Sequence, residues 1–519
     1  MTRANRRKPV GAMEYRREID GLRALAIVPV ILFHAGFGAF SGGFVGVDVF
    51  FVISGYLITT IILAEIEQGT FSIPQFYERR ARRILPALFL VMLVCVPLAW
   101  LWLLPADMKD FSRSLVAVSM CASNILFSRE GGYFDSDAEL KPLFHTWSLA
   151  VEEQYYLLFP LLLVFCGKLP RRWVVTLLGL ACVTSFAAAQ WAVYAKYAAA
   201  FYLLPTRGWE LLIGAFAAMY LSRATRRAFG RGASEVGGCI GLALILYSVF
   251  AFTKATPFPG FYALVPTVGT VLIILFASQQ TIVGRFVGNR AFVGVGLISY
   301  SAYLWHQPLF AFARHKSLTE PGPAVLLWLS ALTLALAYLS WRFVENYFRN
   351  KSLVRREKIV LYSLTVSTFF IVVGGLGHFS QDSISQIRFN TEQRLTIESA
   401  SPSPKRLSCH FPQVNESLLR EPCRYFSENT KVAVLGNSHA VELAYSLAEL
   451  LKEHGVGIIH HTMSSCVHNY NVVSESNSVC GQWHKKVTEE LINNASIESV
   501  VLSYRNEGYL GDPKYREAL

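Results

Sequence analysis

Three stretches of an otherwise apolar chain hold side chains able to do acid–base work. The first is Glu18-Ile-Asp20-Gly-Leu-Arg23, with His34 eleven residues beyond Arg23, about 16 Å along a helix at 1.5 Å per residue. The second is Gly42-Gly43-Phe44-Val45-Gly46-Val47-Asp48, an acid set among glycines and aromatics. The third is His145-Thr-Trp-Ser148-Leu-Ala-Val-Glu152-Glu153-Gln154-Tyr155, where Ser148, Glu152 and Tyr155 share one helical face. Polar groups gather again in Arg207-Gly-Trp-Glu210 and in Ser299-Tyr300-Ser-Ala-Tyr303-Leu-Trp305-His306-Gln307. A neutral imidazole such as that of His34 is a general base near neutral pH, and Asp48 is an acid that can pair with a base. A lone histidine on an apolar helix is more often a structural hydrogen-bonder than a catalyst. So many ionisable groups in lipid-crossing segments exceed what packing needs, which points to an interior polar site.

The elements that carry these residues are apolar runs. Of 519 residues 53% are hydrophobic and only 16% charged, against roughly 25% charged in an average soluble domain. Runs of about 20 residues between basic clusters read as membrane-crossing helices, because such a segment must satisfy its own backbone. The pattern predicts spans at 18–37, 44–66, 84–104, 145–166, 173–193, 206–221, 236–253, 262–279, 291–312 and 323–342, plus an eleventh, linking helix at 358–378. Basic clusters at 79–83, 168–172, 223–231, 285–290 and 342–358 follow alternate spans, which sets the N-terminus in the cytoplasm and the C-terminal segment outside. The net charge of +12 collects at these membrane edges, so topology explains it and nucleic acid does not. The opening MTRANRRKPV resembles the start of a signal peptide, but the span behind it is long and charged and reads as an uncleaved helix.

Four regions result: a membrane block at 1–350, a linking helix at 351–380, a linker at 381–430 and a partial α/β unit at 431–519. Lys431–Leu435 is a buried-strand pattern, Gly436-Asn-Ser-His439 a tight turn and Ala440–Glu453 a helix, with further strands at 456–460 and 499–503. That alternation predicts a parallel sheet flanked by helices. Cys409, Cys423, Cys466 and Cys480 form an even set outside the membrane and fit two disulfides in an oxidising compartment, sequential pairing being the simplest arrangement. No His/Cys cluster has the closed spacing of a metal site.

In order, Arg17-Glu18-Ile-Asp20-Gly-Leu-Arg23-Ala, His34, the Asp48 segment, Arg82-Arg83-Ile-Leu-Pro86, His145 to Glu152, Arg207-Gly-Trp-Glu210 and Tyr303-Leu-Trp-His306 resemble the acyltransferase-3 family of bacterial inner-membrane proteins. The family includes O-acetylases of lipopolysaccharide O-antigen and other surface glycans, and the resemblance covers about residues 15–350. It implies transfer of an acyl group, acetyl in the first place, from cytoplasmic acyl-CoA (acetyl-CoA as donor substrate, with no bound cofactor) to a hydroxyl of a lipid-linked or surface polysaccharide in the periplasm. Membrane lipid is the other partner, and nucleic acid is not one. His34 is implied as the essential base, Arg23, Arg82 and Arg83 as holders of the donor's phosphates through bidentate forks, and Glu152 as shaping the site; Asp48 is grouped with them as catalytic. Val344-Glu345-Asn346-Tyr347 departs from the family's usual ending, which places proline soon after the glutamate.

The tail resembles an SGNH hydrolase-like domain, with Gly436-Asn437-Ser438-His439-Ala440 as its nucleophile block and Asn437 where aspartate is usual. Ser438 is then the nucleophile, at a strand-to-helix turn that offers backbone N–H groups to an oxyanion. The Asp-x-x-His segment such domains use does not follow Ser438, so the tail is expected to be catalytically incomplete or the chain a shortened form. His460, His461, His468 and His484 read as surface residues. Two rival readings remain: an exporter of an acyl donor, which needs no product from His34, and a periplasmic serine esterase working through Ser438.

Overall fold

The computed structural model describes residues 15–131, 133, 136–166, 169–195, 197–222, 229–317, 319–399, 403–411, 422–426, 429–463 and 479–504. The chain divides into two compact units, Met1–Ser385 and Gln386–Leu519.

In the first unit each expected span lies on a helix: Arg17–His34, Gly46–Glu67, Ile73–Trp102, Thr146–Cys166, Arg171–Ala195, Leu204–Leu221, Arg231–Ala251, Leu264–Phe276, Arg290–Lys316, Pro323–Ser340 and Arg356–Phe379. Among the described residues, seven helices are long and apolar enough to cross a membrane, fewer than the ten and one expected. The reason for the difference is chemical. Arg17–His34, Leu204–Leu221 and Arg290–Lys316 are diluted by the ionisable residues that mark the site, and Leu264–Phe276 is only 13 residues long.

One boundary differs in a way that matters. The third helix starts at Ile73, with Pro74 in its first turn, where the fixed φ of proline suits helix initiation. Arg79 to Arg83 therefore lie on a helix and not in a loop, so their faces are set by the helical period.

Close backbone approach holds the site helices together. A Cβ at Gly55 would lie 1.8 Å from the Leu211 carbonyl oxygen, so Gly46–Glu67 and Leu204–Leu221 meet backbone to backbone. A Cβ at Gly296 would lie 1.8 Å from the Asp20 carbonyl oxygen. That contact sets the first helix against Arg290–Lys316 and brings His34 alongside His306. The Arg290 helix is capped by Asn289, whose Oδ1 accepts from the N–H groups of Ala291 (2.8 Å) and Phe292 (3.0 Å).

The second unit is a five-stranded sheet of β1 (His410–Phe411), β2 (Cys423–Tyr425), β3 (Thr430–Gly436), β4 (Gly457–Met463) and β5 (Ser499–Ser503). β3 lies between β4 and β5, parallel to both, while β1 (parallel) and β2 (antiparallel) share the far edge of β4. Alternate residues serve opposite faces: Val434 and Ile458 pack with Ala440, Ala444 and Ala448, whereas Ala433, Leu435 and Ile459 pack with Trp483 and Val487. The stretch expected as a linker contributes helices at Gln381–Arg388 and Thr391–Ser399 as well as β1 and β2. Cys409 is bonded to Cys423, with Cα atoms 5.5 Å apart. Cys480 is also disulfide-bonded; Cys466 and His468 lie outside the described residues.

Candidate functional site

The first helix ends at His34. Its Nδ1 lies 2.9 Å from the Val30 carbonyl oxygen, and a carbonyl only accepts, so Nδ1 carries the hydrogen and Nε2 presents a lone pair. The Tyr133 hydroxyl sits 3.3 Å from that Nε2. Arg314 holds the helix end, donating from Nη2 to the His34 carbonyl oxygen at 2.9 Å and from Nε to Glu320 at 2.8 Å. Glu139 lies between Arg314 (3.4 Å) and Lys254 (2.8 Å).

Two further imidazoles share this pocket. The His306 ring centroid is 5.0 Å from that of His34. Its Nδ1 donates to the Tyr303 carbonyl at 2.6 Å, and its Nε2 has no hydrogen-bond partner among the described residues. The ring of His145, 5.5 Å from His306 and 5.4 Å from Tyr303, is 2% exposed, and among the described residues neither of its nitrogens has a partner. Among the described residues no set of three or more His, Cys, Asp or Glu side chains is placed to hold a metal ion.

On the other side of Tyr303 lies a cavity of about 600 Å³. Arg16, Arg23, Arg80 and Arg83 line one end; Val47, Phe50, Phe51, Ser148 and Tyr303 line the other. Along Gly46–Glu67 its lining runs from Val47 to Ile61, about 21 Å at the helical rise. Glu152 faces it midway, accepting from Ser54 Oγ (2.7 Å) and from the Tyr156 hydroxyl (3.2 Å). A hydrogen bond of 2.6 Å between Ser148 Oγ and the Tyr303 hydroxyl, which also donates to the His145 carbonyl at 2.9 Å, separates the cavity from the imidazoles.

Of the three arginines expected to hold a donor, Arg23 and Arg83 line the cavity, and Arg23 is paired with Asp20 at 2.7 Å. Arg82 does not. It is 3% exposed, with Nε on Glu78 (2.9 Å) and Nη1 on the Phe348 carbonyl (3.0 Å). Arg80, three residues before Arg83 and so on its helical face, takes the place expected of Arg82.

Asp48 meets a guanidinium and not an imidazole. Arg207 Nη1 lies 3.0 Å from Asp48 and 2.7 Å from Glu210, all three fully buried. Phe51, Trp147, Phe201 and Phe258 surround the guanidinium at 5.3 to 5.7 Å, a cage that favours a cation. Tyr133, Arg80 and Arg314 are the site residues that sequence reasoning missed. Tyr133 sits in an aperiodic loop and Arg314 reads as a topological charge, while only the i,i+3 spacing to Arg83 pointed to Arg80.

In the second unit Ser438 stands at the turn between β3 and the helix Ala440–Lys452. Asn437 Oδ1 accepts from the His439 N–H at 3.2 Å, and the Ser438 carbonyl accepts from Arg406, itself paired with Glu442. His460, His461 and His484 are buried, unlike the surface positions expected, because β4 and the helix Val479–Ile492 are covered by their neighbours. His460 Nδ1 meets the Tyr425 hydroxyl at 2.9 Å and its Nε2 meets Thr462 Oγ1 at 2.6 Å. Burial pushes both His460 and His461 down to about 4.

Residues 408–518 match the SGNH domain described as fused to such acyltransferase domains. The chain is 32% identical over 360 residues to the peptidoglycan O-acetyltransferase OatA of Listeria monocytogenes, covering 66% of this chain and 57% of that protein. It is 28% identical to a Staphylococcus aureus protein named as an O-acetyltransferase (72% of this chain, 66% of that one) and 34% identical to a Komagataeibacter xylinus protein named as a membrane-bound transacylase (64% and 82%). No solved structure matches the chain. Residues 16–342, more than half of the chain, match the family described as an acyltransferase domain, and the chain belongs to this acyltransferase-3 family.

Proposed function

We propose that this chain transfers an acetyl group from cytoplasmic acetyl-CoA to a hydroxyl of a polysaccharide on the far side of the bacterial inner membrane. One observation carries the reading: a cavity lined at one end by Arg23, Arg80 and Arg83 ends, at the other, one hydrogen-bonded partition away from the Nε2 lone pair of His34. Arginine forks suit the phosphates of the donor, and the long cavity suits its extended arm. In this reading all eleven helices cross the membrane, the charged three shielded by their neighbours, with the N-terminus and the arginine end inside and His34 toward the periplasm.

His34 Nε2 takes the proton of the acceptor hydroxyl, and the oxygen attacks the thioester carbonyl. The C–S bond breaks as the ester C–O bond is kept, and the thiolate leaves as the thiol after receiving a proton. The second unit guides the acceptor. The acceptor class follows the relatives' names and the family: an envelope polysaccharide, peptidoglycan or a lipid-linked O-antigen chain.

The test is the ester-linked acetyl content of each purified envelope polysaccharide, by mass spectrometry, in cells carrying this chain or its His34→Ala variant at matched membrane abundance. Acetylation of one polymer that vanishes in the variant is the expected result and names the acceptor. Undiminished acetylation in the variant would sink the assignment of His34, and export of the donor would then account for the product.

A further inference from the structure

A neutral imidazole carries one N–H and one lone pair. In His34 and His306 the N–H is spent on a carbonyl of the same helix. In His145 it is not: the ring is 2% exposed and neither nitrogen has a partner among the described residues. A buried donor left unmade is destabilising, so a fold that keeps one has a use for it or a guest that satisfies it.

Its position narrows the use. His145 lies between the Tyr303 ring that ends the donor cavity (5.4 Å) and the His306 ring (5.5 Å) that packs on His34. Its backbone is fixed from below, since the Tyr303 hydroxyl donates to its carbonyl at 2.9 Å and itself accepts from Ser148 Oγ, which lies 3.3 Å from the same carbonyl oxygen. A thioester that displaces the Ser148–Tyr303 hydrogen bond to reach His34 brings its carbonyl oxygen beside the His145 ring.

We propose that His145 is a catalytic residue, its unspent ring N–H donating to the oxyanion that forms on the thioester carbonyl. The inference rests on the acyl-transfer reading above. As the acceptor oxygen bonds to the carbonyl carbon, its proton passes to His34 Nε2 and the carbonyl π pair moves onto oxygen, where the His145 N–H meets it. Collapse returns that pair, breaks the C–S bond and releases the thiolate, which takes the proton from His34. The ring stays neutral throughout, as suits an electrophile flanked by two bases.

The test uses inverted membrane vesicles of the host, supplied with acetyl-CoA labelled in the acetyl group, with label in the host's own polysaccharide as the readout. His145→Phe keeps bulk and loses the donor: the maximal rate falls about 10²–10³-fold, while the KM for acetyl-CoA is unchanged. His145→Gln keeps a side-chain N–H and runs about tenfold faster than the Phe variant, the worth of one hydrogen bond. A Phe variant at normal abundance and full rate overturns the proposal, as does a Gln variant at normal abundance that is no faster. If the Phe variant does not accumulate, the Gln variant decides alone: a folded protein as inactive as His34→Ala overturns the donor role. A His34→Ala protein that transfers at the wild-type rate would instead sink the underlying reading, whatever His145 does.

Discussion

Arg207→Met tests whether the buried ion group at the core is scaffold or chemistry. The guanidinium is fully buried, 3.0 Å from Asp48 and 2.7 Å from Glu210 through one nitrogen. Removing it leaves two carboxylates without a cation in a dry site, and breaking a single buried pair costs about 3–5 kcal/mol. Four rings at 5.3 to 5.7 Å also lose their cation, worth about 2 kcal/mol when desolvated. The sum reaches at least about 5 kcal/mol, comparable with the whole stability of many domains. The variant should fail to accumulate in membranes. Replacing the group as a whole, Asp48→Asn with Arg207→Met and Glu210→Gln, removes every charge and restores abundance, because an apolar or neutral substitute for a buried ion group is often as stable. The assay is membrane abundance by immunoblot and melting temperature in detergent, followed by acetyl transfer per folded molecule. A triple variant that folds and still transfers makes Asp48 structural. One that folds with no transfer, with Asp48→Asn alone equally inactive, would refute this and restore Asp48 to the chemistry.

Three other outcomes are expected. Arg80→Ala and Arg83→Ala should raise the KM for acetyl-CoA about tenfold each, the worth of one charge-assisted contact, whereas Arg82→Ala should leave KM alone and lower abundance, all read by vesicle kinetics. Gly55→Ala should cost about 1–3 kcal/mol or more by driving a methyl against the Leu211 carbonyl, seen as a lower melting temperature with normal expression of message. His460, with a value near 6.5 when unfolded and about 4 when folded, is protonated first in the unfolded chain, so stability is full above pH 6.5 and falls as pH drops toward 4. The loss is about 2 kcal/mol at pH 5, and His460→Gln should flatten that slope in thermal scans of the full chain.

The helices were legible because a membrane-crossing segment must be a long apolar run, and Arg23 and His34 share the first helix as the run between them requires. The start of the third helix was not. Ile73 to Arg83 is rich in charged and polar residues, so it lacks the apolar signature, and reading it as a loop hid the helical face that separates Arg80 and Arg83 from Arg82. Asp48 was found but its partner was not, since the pairing with Arg207 depends on how two helices cross at Gly55. His460 looked like a surface residue because β4 is strand-like only in part of its length, while the helices Ala440–Lys452 and Val479–Ile492 cover the two faces of the sheet. The Ser438 turn was read from its glycine and helix-forming sequel, and the structure has it as expected.

The Ser148–Tyr303 hydrogen bond has a consequence for the cell's energy supply. A bacterial inner membrane stores a proton gradient, and a wet passage from the arginine end of the cavity to the histidines would drain it. The Tyr303 hydroxyl, bonded to both Ser148 and the His145 carbonyl, stands in the proposed orientation between the cavity and the histidines as a side-chain partition. In the proposed orientation the reactive end of a donor passes this point only by displacing the bond that closes it, filling the gap with its own bulk, so an acyl group can cross a membrane that stays sealed to ions.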